Sequence, residues 1–233
     1  MTASTLESGK SIPLDVVLSA LANEHRRAVL RSLNQTEGEA MEVSALVDQV
    51  SEHVRDGELP DDDHRQRVHT ALHHLHLPKL EACGMIVRDT EMKPQLSSSG
   101  RSAAEMPAVL NIDRVMSSSI DSDTVLGLCA DQHRRIALAV LANEQRSLTR
   151  NDLTKAIAKH NHHVPVTEMP KERLSEVQIS LHHVHLPKIE AAGLVNYDQE
   201  RGLVEPTEQF EEVQPQLSAL FEADLDLESP VEL

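Results

Sequence analysis

Aromatic side chains are almost missing from this 233-residue chain, which has no tryptophan, one tyrosine (Tyr197) and two phenylalanines (Phe210 and Phe221). Its cores must be built from Leu, Val, Ile, Ala and Met, and such cores pack more easily between helices than in a large sheet. Cysteine is equally scarce. Cys83 and Cys129 have no Cys-x-x-Cys neighbour and fall at apolar helical positions, so both read as reduced core residues. No apolar run is long enough to cross a bilayer, and Met1 to Ile12 lacks the apolar stretch of a secretion signal. The expectation is a soluble, cytoplasmic protein with no membrane partner. A Gly-rich phosphate loop is absent, as is any recognisable Ser or Cys nucleophile motif. Histidines alone do not make an acid–base site, which needs a substrate pocket and an orienting group. Neither an enzyme nor a cofactor is expected.

Positive charge is also short. With 22 Lys and Arg against 38 Asp and Glu, the net charge is −16. Strong apolar periodicity argues against plain disorder. An acidic surface suited to the salt-rich cytoplasm of a halophile explains the balance better. In roughly molar salt the Debye length is about 3 Å, so surface charges hardly act beyond contact. The acidity therefore leaves a nucleic-acid partner open, although at low salt it would argue against one.

What the chain does have is a repeat. His73-His74-Leu75-His76-Leu77-Pro78-Lys79-Leu80-Glu81-Ala82-Cys83-Gly84 returns as His182-His183-Val184-His185-Leu186-Pro187-Lys188-Ile189-Glu190-Ala191-Ala192-Gly193. Every difference exchanges one apolar or small residue for another. Upstream, His25-Arg26-Arg27 returns as His133-Arg134-Arg135, and Ala22-Asn23-Glu24 as Ala130-Asp131-Gln132. The chain is a tandem duplication, and each copy is long enough for its own core. The boundaries read from the pattern are a flexible N-terminus (1–12), a first domain (13–116), a linker (117–123), a second domain (124–221) and an acidic, disordered tail (222–233).

Within the first copy, Pro13 opens a helix carrying Leu14, Val17, Leu18 and Leu21. A break near Asn23 starts a second helix, and Met41 to Val50 forms a third. An acidic loop over Asp56 to Asp63 leads to a longer fourth helix, from about His64 to Cys83, which Gly84 ends. A hairpin follows. In the second copy, Leu194 to Tyr197 and Leu203 to Glu205 flank a turn ending in Gly202. In the first, Pro94 interrupts the return strand, so that hairpin should be poorer. Residues 97–104 read as a loop. Short helices are expected from Met106 to Met116 and from Gln214 to Phe221.

The order of helix pair, third helix, longer fourth helix and hairpin is the plan of a winged helix-turn-helix. The repeat is similar to the ArsR-type winged helix, which starts with a helix pair around an Arg-rich turn. It resembles more closely a haloarchaeal winged-helix domain family of uncharacterised function. His25-Arg26-Arg27, His133-Arg134-Arg135 and the two His-x-His-Leu-Pro-Lys blocks carry the likeness, which with the hairpins covers most of both copies. It implies a mainly α fold with small β-hairpins, as tandem winged helix-turn-helix domains, and a DNA-binding regulator of transcription. It supplies neither effector nor target.

The residues expected to meet double-stranded DNA are the two Arg pairs, Arg26–Arg27 and Arg134–Arg135, and the polar groups of the fourth helices. In the first copy these are Arg65, Arg67, His73, His74 and Lys79; in the second, Arg173, His182, His183 and Lys188. The Arg pairs have a structural reading as well, bonding to carboxylates such as Glu24 or to carbonyls of the preceding turn. Glu176 stands where the first copy has Arg67 and would repel phosphate.

The fourth helix is apolar on two sides. Val68, Leu72 and Leu75, matched by Val177, Leu181 and Val184, share one face. Leu77 and Leu186 fall opposite, joined by Ile179. Pro78 and Pro187 should kink the helix. Either the kink turns Leu77 and Leu80 into the core, or the second stripe packs on the other repeat. The alternative function follows from this stripe: an interaction module that binds a protein partner or a second copy of itself without touching DNA. His69, His73 and His76 lie along one side of a helix, as metal ligands would. Gln178 replaces His69 in the second copy and no Asp, Glu or Cys completes a tetrahedral set, so no metal is expected. The His160, His162 and His163 cluster is weaker still.

Overall fold

The protein is seen in a computed structural model that describes residues 12–36, 38–54, 62–115, 120–162 and 170–221. The expected flexible N-terminus, apart from Ile12, and the acidic tail lie outside these residues, as does most of the 56–63 loop. The chain forms two compact units divided between Leu110 and Asn111. Each is mainly helical with a small antiparallel sheet.

In the first unit, α1 (Leu14–Leu21) and α2 (Glu24–Asn34) are separated by a break at Ala22-Asn23. Asn23 makes the break useful: extended itself, it accepts the Arg26 amide on its side chain and so caps α2. Ala28, Val29, Leu30 and Leu33 of α2 are fully buried, which makes this helix the centre of the unit. It packs on α3 (Val43–Val54), whose Leu46, Val47 and Val50 point inward. The fourth helix comprises α4 (Asp62–Ala71), one wider π turn over Leu72–His76, and α5 (Leu77–Ala82).

Pro78 accounts for the π turn. Its ring has no N–H to give and would collide with the carbonyl four residues back. Widening the helix by one residue removes the collision, and the Leu77 amide donates to the carbonyl of Leu72, five residues back. The extra residue changes which side chains face inward. Leu72 and Leu77 are both fully buried, His76 and Leu80 join them, and Leu75 is rotated out to 65 % exposure. The expectation that Leu75 shares the buried face of Val68 and Leu72 is therefore corrected, while turning of Leu77 and Leu80 into the core is what occurs.

Gly84 ends α5 at φ +72°, with its amide on the Glu81 carbonyl and the Met85 amide reaching back to Leu80. Strands β1 (Ile86–Arg88) and β2 (Pro94–Leu96) pair over three residues, the short hairpin expected of a return strand that opens on proline. Residues expected to be a loop are instead a helix, α6 (Ser98–Ala104). Ser97 provides its start. The hydroxyl accepts the Gly100 amide and donates to the Gly84 carbonyl, tying the new helix to the end of the fourth one. Gly100 provides the close fit, since a Cβ there would lie 1.8 Å from the Met85 carbonyl oxygen. The Ser/Gly composition that suggested a loop is the composition of a capped helix pressed against a backbone. A short helix, α7 (Pro107–Leu110), ends the first unit, and another, α8 (Ile112–Val115), begins the second.

The second unit repeats the plan with α9 (Ser122–Cys129) and α10 (Gln132–Glu144), which is buried continuously from Arg134 to Ala142. Asp121 caps α9, so the last residues of the expected 117–123 linker already belong to a helix. Cys129 is fully buried, which pushes its thiol up to about 12, as suits an inert core residue. A two-residue strand that the sequence reading did not anticipate, β3 (Leu148–Thr149), runs straight into α11 (Arg150–His162). The fourth helix is α12 (Lys171–Ser180), a π turn over Leu181–His185, and α13 (Leu186–Ala191). Pro187 has the effect of Pro78: Leu181, Leu186 and Ile189 are buried and Val184 is turned out. Strands β4 (Val195–Asp198) and β5 (Leu203–Pro206) pair over four residues, and β3 adds to β5 to give the order β3-β5-β4. The first unit keeps one bond of that third strand, from the Met41 amide to the Pro94 carbonyl. The last helix, α14 (Glu208–Phe221), begins well before Gln214 and holds Pro215 inside it. Thr207 repeats Ser97, accepting the Phe210 amide and donating to the Gly193 carbonyl.

Candidate functional site

Each Arg pair lies where the first helix of its unit ends against the second. α1 ends against α2, leaving its last carbonyls without helical donors. Arg26 donates to the carbonyls of Ala20 and Ser19, and Arg27, fully buried, donates to Leu21 at 2.7 Å. Arg134 donates to Leu128 at 2.8 Å and Gly127 at 3.0 Å, and buried Arg135 to Cys129 at 2.8 Å. Four guanidiniums thus close two helix C-termini, where the helix dipole also favours positive charge. Of the two readings open to these four, this geometry supports the structural one.

Each copy also brings together histidines that lie far apart along the chain. His25 stacks on His76 with ring centroids 5.1 Å apart, and His133 meets His185 edge-on at 5.2 Å. His76 and His185 are buried, so His76 has left the line of His69 and His73 that suggested metal ligands. Among the described residues no group of three or more His, Cys, Asp or Glu is placed to hold a metal ion. His162 and His163 lie outside the side chains described. In the second unit Asp131 caps α10 and also sits 3.4 Å from His185. Burial would raise its pKa, but the Arg134 amide and the charges of His185, Arg134 and His133 outweigh burial and hold it below the usual carboxylate range.

The exposed face of the first fourth helix carries Arg65, Arg67, His69, His73, His74 and Lys79. Arg65 bonds to Asp48 of α3, which holds it firmly in its charged form. Arg67, by contrast, has no ion pair among the described residues. His73 lies beside His69 and His74, at centroid distances of 6.3 and 4.8 Å. The second fourth helix exposes Arg173, Glu176, His183 and Lys188 in the matching places. Exposed aliphatic residues interrupt both faces: Leu75 in the first, and Ile179 and Val184 in the second.

His182 differs from its copy. Its Nδ1 lies 2.7 Å from the Tyr197 hydroxyl on β4 and 2.8 Å from Nη1 of Arg150, the first residue of α11. Arg150 also donates to the Tyr197 hydroxyl at 2.8 Å. Fourth helix, hairpin and third helix thus converge on one polar cluster. Burial holds His182 below the usual imidazole range, and the charges of Arg150 and His183 push the same way. Sequence reading passed over Arg150 and Tyr197. Only the short strand β3 places Arg150 beside the hairpin, and the lone tyrosine was the one available signal.

The described residues contain no helix long and apolar enough to cross a membrane. Comparison with curated proteins and with solved structures finds no match. One family model matches twice, over residues 18–94 and 126–205, from the end of the first helix of each unit to its hairpin. These are the two copies already visible in the repeat, and the chain belongs to the family described as Domain of unknown function (DUF7344).

Proposed function

We propose that each unit is a winged helix-turn-helix and that the chain is a cytoplasmic DNA-binding regulator of transcription from a halophile. One observation carries the reading. In each unit the core engages one side of the fourth helix and leaves a polar, cation-bearing side facing solvent, directly before a hairpin. A helix offered in this way fits a major groove, with the hairpin on the adjoining backbone. After removal of the four carbonyl-bound arginines, the contact set is Arg65, Arg67, His73, His74 and Lys79 in the first unit. In the second it is Arg173, His182, His183 and Lys188. The first unit is the stronger reader, because Glu176 occupies the place of Arg67. Acidity elsewhere is no obstacle in roughly molar salt, where screening confines repulsion to contact distance.

A protein-interaction module is the second reading, favoured by the exposure of Leu75, Ile179 and Val184 on the same helices. Exposed aliphatics clustered on a helix suit a partner's groove better than a phosphate backbone. The two separate cleanly in a pull of genomic fragments from whole-cell DNA by the purified protein. Recovery of discrete fragments supports the regulator, and recovery of none at any salt that keeps the chain folded supports the module.

A further inference from the structure

We infer that Arg150, Tyr197 and His182 form a phosphodiester-binding site on the second unit, one that anchors the nucleic-acid backbone without reading bases; the assignment rests on the DNA reading above. The cluster draws one residue from each of three elements. The Arg150 amide donates to the Gly202 carbonyl at 2.7 Å, locking the start of α11 to the hairpin turn. Hydrogen-bond bookkeeping then fixes protonation. The Nδ1 lone pair of His182 accepts from its neighbours, so its remaining proton sits on Nε2, where it is a donor. The lowered pKa of His182 agrees with this neutral form.

Arg150 is the reason to look for a ligand. Its hydrogen-bond partners Tyr197 and His182 are neutral, and it makes no ion pair among the described residues. Its Nε is buried with no hydrogen-bond partner. The nearby carboxylates are engaged elsewhere. Asp152 accepts from Thr149 through both amide and hydroxyl, Glu190 accepts the Tyr197 amide, and Asp198 accepts two amides of the hairpin turn. The guanidinium N–H groups that Tyr197 and His182 leave unused match an anionic phosphate oxygen. The first unit lacks the site. Val43 stands in place of Arg150, and Arg88, in place of Tyr197, is neutralised by Glu81 at 3.2 Å.

Tyr197 is the chain's only tyrosine and there is no tryptophan, so its emission reports on this site alone. The test uses the full chain, at the lowest salt that keeps it folded, with a short labelled DNA duplex of mixed sequence. Duplex binding is followed by anisotropy across a salt series, and tyrosine emission is read in parallel. The expected result is a change in Tyr197 emission on binding. Arg150→Gln should bind several-fold more weakly, with a log–log salt slope smaller by about one unit. Arg150→Lys, which keeps the charge, should keep the wild-type slope while losing part of the affinity. Wild-type binding with unchanged slope in Arg150→Gln, or in an Arg150→Ala replacement should Gln not fold, would overturn the site and leave the DNA reading standing. No binding by wild type removes both. An equal emission change from inorganic phosphate alone, at matched ionic strength and phosphate concentration, would make this a free-anion site and overturn the phosphodiester assignment.

Discussion

At the scale of single residues, the paired arginines, open in sequence to phosphate contact or to structural bonding, hold the ends of the preceding helices. Sequence supplies the side chain and its spacing but not its direction. Arg27 and Arg135 point back onto the preceding helix because α1 and α9 end there with unpaired carbonyls. Removing such a donor leaves a buried carbonyl unsatisfied, at a cost of about 1–3 kcal/mol. Arg135→Met should therefore lower the melting temperature of the second unit by roughly 4–24 °C at constant high salt, using about 4–8 °C per kcal/mol for a domain of this size. DNA affinity measured well below that melt should stay near wild type. Buried His185 gives a pH dependence. Burial holds His185 below the usual imidazole range; Asp131 opposes this, and His133, Arg134 and Lys188 side with burial. A histidine with a lowered folded-state pKa binds fewer protons folded than unfolded. Its contribution is complete above the unfolded value of about 6.5 and is lost as pH falls through it. Thermal melts from about pH 8 to about pH 5.5 should show falling stability, and His185→Gln should flatten that decline. An unchanged decline in the variant would remove His185 as a cause.

At the scale of elements, helices, hairpins and their order were legible because periodicity and glycine punctuation survive into the fold. Two things were not. The Ser97–Ala104 stretch hid a helix behind loop-like composition, since the need for Gly100 comes from the Met85 carbonyl, a contact fixed only in three dimensions. The phase of the fourth helix was also misread after Leu72. A helical wheel assumes one uniform turn, and Pro78 inserts a wider one. The consequence is testable by comparing two leucines two residues apart. Leu75→Ala should change stability by no more than about 0.5 kcal/mol, as an exposed position does. Leu77→Ala should cost about 2–5 kcal/mol as a fully buried one. Urea unfolding of the two variants decides it, and the reverse order would mean that the helix runs without the π turn.

At the scale of the whole molecule, duplication was the most readable feature of all, because identical polar residues at identical spacing leave little room for another explanation. What duplication does not show is how the copies have diverged in use. The fourth helix of the first unit carries Arg67 where the second carries Glu176, and the second unit alone carries Arg150 with Tyr197. No metal is expected to support either unit, so melts at constant high salt with and without a strong chelator should coincide; a large drop with chelator would reverse that expectation. The most direct measurement is DNA binding by anisotropy across a salt series for wild type, Arg67→Glu and Glu176→Arg. If the exposed face of the fourth helix meets DNA, Arg67→Glu weakens binding to all sequences and lowers the salt slope by about one unit, while Glu176→Arg strengthens it. An Arg67→Glu protein that binds as tightly as wild type would contradict that use of the helix, and no binding by wild type to any genomic fragment would contradict the DNA reading as a whole.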